Sequence, residues 1–329
     1  MRRPLVGGKR PSSSSTTSSS SRRNSKYRSS QRQRQQCLLL GALLLVLVGF
    51  VTYRTLHHHH VTTTATTDNK NPLRQSSSLS SNTKDLITAL QAKMTTLDHK
   101  VRAMKQSGVI METDPASLKA TKALQDVTLQ LLLAKYGDYR GTKGGYRIVW
   151  ELEFPPTIAD YETLGKDGVI VIELAPVDLI PVSTYTFLEI ARTWQHGAFH
   201  RNAGHVLQAT AQASAVQQSL PFQEYSADFP HVKGTCGYCG RPSGPCFYIS
   251  IMDNTKNHGP GSQQQANPYE ADANFGKVIQ GMDDVVPRIH STKGTGWLPK
   301  DQQIAITKMT ILVPSGPNGT FEEWKPNDT

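Results

Sequence analysis

Phe275-Gly276-Lys277-Val278-Ile279-Gln280-Gly281-Met282-Asp283 is the stretch on which the fold turns. An aromatic followed by a β-branched pair over Phe275–Ile279 reads as a strand. Gly281 punctuates it, and the apolar positions of Met282–Ile289 then read as a short helix. A final strand follows at Ile304–Leu312. Working back toward the N-terminus, Phe247–Ile251 is a strand and His205–Ala209 and Ala198–Arg201 are two more. Val182–Trp194 is a helix with Pro181 at its start, Gly168–Pro176 is a β-branched strand, and Tyr146–Phe154 alternates apolar with polar as a half-buried strand does. Many strands with two helices at separated positions predict a mainly β domain over 145–314, a closed antiparallel barrel capped by two helices.

The collinear order of these pieces resembles the cyclophilin family of peptidyl-prolyl cis/trans isomerases. The likeness is carried by the strand holding Ile172-Glu173-Leu174, the Pro-led helix, Phe199-His200-Arg201, Gln208, Gly244-Pro-Cys-Phe-Tyr-Ile249 and the stretch quoted above. It spans about residues 145–314. What it implies is an isomerase acting on proline-containing polypeptides, with no cofactor and no metal. Turning an X-Pro bond breaks amide resonance against a barrier of about 18–20 kcal/mol without a covalent intermediate. That chemistry needs an apolar seat for the pyrrolidine ring and a donor favouring the twisted amide. By resemblance Arg201 is the catalytic donor and Gln208 holds the substrate backbone. Phe199, His205, Val206 and Tyr248 fall at substrate-binding positions.

This chain departs from the family at those same positions. The link from Arg201 to Gln208 is one residue shorter, and the pocket Phe and Met become His205 and Val206. The family's Ala-Asn-Ala segment becomes Gly-Tyr-Cys-Gly-Arg, and its Trp-Leu-Asp-Gly-x-His loop becomes Asn267-Pro268-Tyr269-Glu270-Ala271-Asp272, without the indole donor or the pocket-edge imidazole. Trp297 lies after the helix and does not align with the missing indole. Two readings follow: an isomerase with an altered active-site wall, or a catalytically inactive cyclophilin-like peptide-binding module.

The rest of the chain has a different composition. Lys and Arg number 36 against 26 Asp and Glu, giving a net charge of +10, and ten of the basic residues lie in 1–36 with no acid among them. Residues 37–329 are balanced, which argues against a globular nucleic-acid-binding domain. Residues 1–36, rich in Ser and Arg, are expected to form a disordered cytosolic tail. The uncharged run Cys37–Tyr53, about 25 Å long as a helix, is expected to be a transmembrane signal anchor. The basic flank ahead of it would orient the protein as single-pass type II, with the C-terminal domain in the Golgi or endoplasmic reticulum lumen. A flexible linker is expected over 54–83, with His57–His60 assigned no metal. Over 84–140 a helical stalk is expected: Ile87, Leu90, Met94, Leu97, Val101 and Met104 form a short heptad seam suited to a homodimeric coiled coil, and Asp114-Pro115 opens a second helix running to about Tyr136. The tail, anchor and stalk by themselves also fit a luminal glycosyltransferase-like enzyme, although the domain is small and shows no convincing Asp-x-Asp metal site.

Cys236-x-x-Cys239 lacks the flanking strand and helix of a thioredoxin-type redox site. A disulfide among Cys236, Cys239 and Cys246 is expected instead, with one thiol left over. Residues 315–329 form a tail with sequons at Asn318 and Asn327, glycosylation sites if this end is luminal.

Overall fold

The computed structural model describes residues 81–140, 145–214, 216, 218–262, 267–292, 296–315 and 319–326. Ten strands among them make one antiparallel sheet: β1 (Arg147–Glu153), β2 (Asp167–Leu174), β3 (His196–Asn202), β4 (Val206–Ala213), β5 (Thr235–Tyr238), β6 (Cys246–Ser250), β7 (Asn274–Gln280), β8 (Gly296–Trp297), β9 (Ile304–Pro314) and β10 (Phe321–Glu323). The order runs β9-β1-β2-β7-β5-β6-β4-β3, and β3 pairs again with β9 through Gly197↔Ile306, Ala198↔Ala305 and Phe199↔Ile304. Eight strands thus close into a barrel, with β8 and β10 attached outside the ring. Closure gives every strand two partners and leaves no bare edge in the ring. The strand at Thr235–Tyr238 was not expected, because its four residues carry two small, weakly apolar side chains and no run of alternation.

The barrel interior follows from period-2 alternation. In β1 it turns Ile148, Trp150 and Leu152 inward, and in β2 Ile170, Ile172 and Leu174. Phe187, from the helix Pro181–Arg192, enters the same space. Its ring stacks on Phe275 at 3.7 Å between centroids and meets Phe247 edge-on at 5.3 Å. Trp150 lies 5.2 Å from Phe247 and 6.1 Å from Phe199. This is a dry aromatic core with Phe199 inside it.

Two long helices precede the barrel, α1 (Ser81–Gln106) and α2 (Pro115–Tyr136); the barrel adds α3 (Pro181–Arg192) and α4 (Val285–His290), besides single helical turns at Tyr161–Leu164 and Thr255–His258. At the start of α2 the Asp114 carboxylate accepts from the Ser117 amide at 2.8 Å, and Pro115 occupies the first turn, where a missing N–H costs nothing. At its end Gly137 adopts φ 100°, a conformation open to a residue without Cβ.

The fold-class expectation needs two corrections. First, among the described residues no helix is long and apolar enough to cross a membrane, which stands against the expected transmembrane helix. The run 37–53 on which that expectation rested lies outside the described residues, as do the tail 1–36 and His57–His60. Second, α1 and α2 do not form a projecting stalk. They fold into a hairpin laid on the barrel, and the heptad seam is spent within the chain: Leu90 and Val101 are buried, with Ile87, Met94, Leu97 and Met104 packed against the common core. An apolar stripe is non-directional, and here the partner covering it is the chain's own α2 and barrel, not a second copy. Polar contacts pin the hairpin along its length. Arg102 donates to the Ser219 carbonyl at 2.7 Å, Lys105 pairs with Glu270 at 3.1 Å, Gln125 donates to Glu224 at 2.9 Å, and Lys135 meets Glu189 at 2.6 Å.

Candidate functional site

Strand β3 carries a bulge that builds the outer face. Phe199 pairs with Ala209 but Arg201 pairs with Gln208, so His200 is the extra residue of the strand. A bulge breaks strict alternation and re-aims side chains. Phe199 therefore points into the core, while His200 and Arg201, although adjacent, both reach the Trp297 ring. His200 stacks on that indole at 5.1 Å and 21°, and the Arg201 guanidinium carbon lies 5.5 Å from its centre. Trp297 sits there because β8 pairs with β3 as Arg201↔Trp297 and Asn202↔Gly296, and the Leu298 amide donates to the His200 carbonyl at 2.8 Å. Burial lowers the His200 pKa, with the neighbouring Arg201 charge adding to the effect, so the ring under the indole is neutral at neutral pH.

The two expected catalytic residues come together across the β3–β4 pairing. Arg201 Nη1 donates to Gln208 Oε1 at 3.1 Å. Among the described residues no carboxylate pairs with Arg201, and its Nε is buried without a hydrogen-bond partner. A guanidinium held this way retains donors for a ligand carbonyl.

The expected substrate wall is built differently. Phe199 has no exposed surface and packs with Trp150, so it belongs to the core and not to a substrate surface. Val206 and Tyr248 are likewise buried. His205 is half-buried, its ring stacked on His258 at 5.3 Å, and His258 stacks in turn on Tyr248 at 4.8 Å. Behind them lies a polar knot. His231 Nε2 donates to the Asp272 carbonyl at 2.9 Å, which fixes its tautomer and leaves Nδ1 to accept from the Tyr248 hydroxyl at 3.3 Å. The Asp272 carboxylate takes His258 Nδ1 on one oxygen and Arg241 Nε at 2.7 Å on the other. Arg241 goes on to Ser262, donating to its hydroxyl at 2.8 Å. The Arg241 and Asp272 side chains are each only 2% exposed. Burial lowers the His231 pKa to about 4 and raises that of Tyr248.

Two segments that the sequence reading set apart from the cyclophilin pattern supply this knot. Asp272 ends the segment Asn267–Asp272, and Arg241 ends the segment Gly237-Tyr-Cys-Gly-Arg241. Gly237, in β5, makes room for it: a Cβ there would meet the Tyr248 ring at 2.6 Å. His205 and Tyr248, two of the residues expected to bind substrate, are bridged here by the His258 imidazole. A cavity of about 450 Å³ lies elsewhere, between the hairpin and the barrel, lined in part by Met94, Arg102, Thr128, Tyr185 and Leu220. Arg201 does not line it.

Cys239 and Cys246 form a disulfide, and Cys236 is the leftover thiol, buried in β5 with its pKa pushed up by that burial. The Cys-x-x-Cys pair is therefore not a redox couple, since only one of its members is bonded and the other is inaccessible. Among the described residues no group of three His, Cys, Asp or Glu is arranged to hold a metal ion. Asn318 and Asn327 lie outside the described residues.

Reasoning from sequence missed His200, Trp297, His258 and Arg241 as parts of this region. For His200 the only signal was its place beside Arg201; for Trp297 there was none, because its strand is two residues long.

No family model matches the sequence, and no curated protein matches it. Solved structures do match. One is the crystal structure of a cyclophilin-type peptidyl-prolyl cis-trans isomerase from Cryptosporidium parvum, 15% identical, covering 50% of this chain and 97% of that one with a TM-score of 0.33. At that identity and score the likeness bears on neither activity nor substrate. The closed ring of eight antiparallel strands, carrying the quoted motifs in order, supports a cyclophilin-like fold.

Proposed function

We propose that the domain is a cyclophilin-like binding module for extended polypeptide segments, with peptidyl-prolyl isomerisation lost or reduced to a trace. The observation that carries this reading is the filled wall: Val206 and Tyr248 are buried, and His205 and His258 stack where an apolar ring seat is needed. A catalyst for this reaction gains from holding the twisted amide more tightly than the planar one, and without a seat for the ring that difference is not available. Arg201 and Gln208 retain what binding requires, a guanidinium free of any carboxylate and an amide beside it.

One observation favours residual isomerase activity as a second reading: Arg201 and Gln208, the pair that the resemblance assigns to the reaction, lie side by side, with Nη1 donating to Oε1. An isomerisation assay on a proline-containing peptide decides between the two. The binding reading expects the uncatalysed rate from both the wild type and Arg201→Ala, together with weaker peptide binding by the variant. Acceleration that disappears in Arg201→Ala would establish the enzyme.

The Cys239–Cys246 disulfide supports work in an oxidising compartment, where such a bond persists. Mass spectrometry of the native protein under non-reducing conditions tests this; recovery of the two cysteines as free thiols would count against it.

A further inference from the structure

We propose that the gap between the hairpin and the barrel is a second binding site, for a small uncharged molecule with an apolar body and one hydrogen-bonding group. The proposal stands apart from the polypeptide-binding reading above. One wall belongs to α1 and α2, which lie outside the barrel, so the family resemblance implies nothing about it. The cavity measures about 450 Å³, within the range of small-molecule sites, roughly 300–1,000 Å³. Met94 and Leu124 bring apolar surface from the hairpin side, and Val182, Tyr185 and Leu220 bring it from the barrel side. Ligand sites favour seams of this kind, where two separately packed parts meet. Arg102, Ser219 and Glu189, which take part in pinning the hairpin to the barrel, lie in the lining, so the walls are held in place without a ligand.

The lining chemistry narrows the occupant. Its carboxylates and its guanidinium are already matched: Asp98 takes Arg102 Nε at 2.6 Å, and Glu189 takes Lys135 on one oxygen and Arg192 on the other, each at 2.6 Å. A charged ligand would give up its hydration and meet none of these charges free, while an uncharged one gives up far less. Thr128 calls for the hydrogen-bonding group. On the same two helices Thr88, Thr95, Thr96 and Thr121 each return the hydroxyl to the carbonyl four residues back. Thr128 does not: it is 1% exposed, and its Oγ1 has no hydrogen-bond partner among the described residues. A buried hydroxyl left this way is costly, and Thr128 lines the cavity from which a partner can come. A ligand that brings a carbonyl or hydroxyl to it supplies the missing bond. Met94, unbranched and adaptable, lets the hairpin wall fit the ligand's body.

The test is a fluorescence titration of the full chain with prodan, an uncharged naphthyl ketone whose emission moves to the blue in apolar surroundings. The expected result is saturable binding with that shift. Acetonaphthone, an uncharged ketone on the same ring, should displace the probe, and naphthoate, which carries a carboxylate in place of the acetyl group, should not. Thr128→Val keeps the shape and removes the hydroxyl. It should weaken prodan binding about fivefold, the worth of one hydrogen bond, and unfold at or above the wild-type temperature, since an unpartnered buried hydroxyl is gone. Thr186→Phe, from a half-buried position in the lining, should fill the gap and abolish binding. Absence of saturable binding to the wild type would overturn the proposal, as would displacement by naphthoate as effective as that by acetonaphthone. Prodan bound equally well by Thr128→Val would overturn it too, because the probe would then sit elsewhere; this holds whether or not Thr186→Phe folds.

Discussion

The aromatic core of the barrel and the knot around Asp272 are equally shut off from water, but different physics holds each together. Trp150, Phe187, Phe247 and Phe275 meet through ring contacts alone, with centroids 3.7 to 6.3 Å apart. Their stability is a matter of apolar area and fit. Asp272, Arg241, His258, His231 and Tyr248 are held by hydrogen bonds between groups that would otherwise lose hydration uncompensated. The core should answer only to changes of volume. The knot should answer to changes of charge and of pH.

The largest effects come from breaking each region in its own terms. Asp272→Ala strands a guanidinium in the interior and should cost about 3–5 kcal/mol, with a smaller penalty in Asp272→Asn, which keeps an acceptor. Phe187→Ala opens a cavity beside Phe275 and should cost a similar amount, about 3–5 kcal/mol, with no dependence on pH. Denaturant unfolding of the two variants, each at neutral and acid pH, measures both.

Acidification should come next in size. The folded-state pKa of His231 is about 4, below the ordinary value of 6.5. Above pH 6.5 the ring is neutral in both states and contributes no slope. As the pH falls from 6.5 toward 4, the unfolded chain takes up a proton that the folded one refuses, so stability drops; below 4 both are protonated and the loss levels off. The full drop is on the order of 3 kcal/mol. His231→Gln should flatten that part of the profile, whereas Phe187→Ala should leave its slope as it is. A profile in His231→Gln identical to the wild type would show that the knot does not sense pH through this ring.

Smaller still is the disulfide. It joins residues seven apart, and Cys239→Ser should cost about 2 kcal/mol by freeing a short loop in the unfolded chain. The smallest effect on stability is at the outer face. Arg201→Ala removes one hydrogen bond, worth about 1 kcal/mol, yet it should weaken peptide binding more than any interior substitution that leaves the protein folded.

How much of this was legible beforehand differs from one region to the next. The strands with clear alternation or β-branched runs, at Tyr146–Phe154, Gly168–Pro176 and Ile304–Leu312, appear as β1, β2 and β9 close to their expected bounds. The meeting of Arg201 with Gln208 was carried by the resemblance and follows from two short strands that form a hairpin. The filling of the wall was half legible. The substitutions at 205 and 206 were plain, but that His205 would stack on His258, and that Asp272 would gather Arg241 and two histidines, depends on residues up to 67 positions apart in a sequence with no local mark of their meeting.

Local pattern alone determined which segments are strands and which are helices, and where a donor such as Arg201 sits, because backbone periodicity and turn chemistry act over a few residues. Only the tertiary structure decided what each apolar stripe faces: the seam of Ser81–Gln106 is covered by its own chain, since burial rewards any apolar partner within reach and carries no address. It likewise decided that Trp297 stands beside Arg201 and that His258 stacks on Tyr248, because strand pairing brings together residues whose nearness no short-range pattern records.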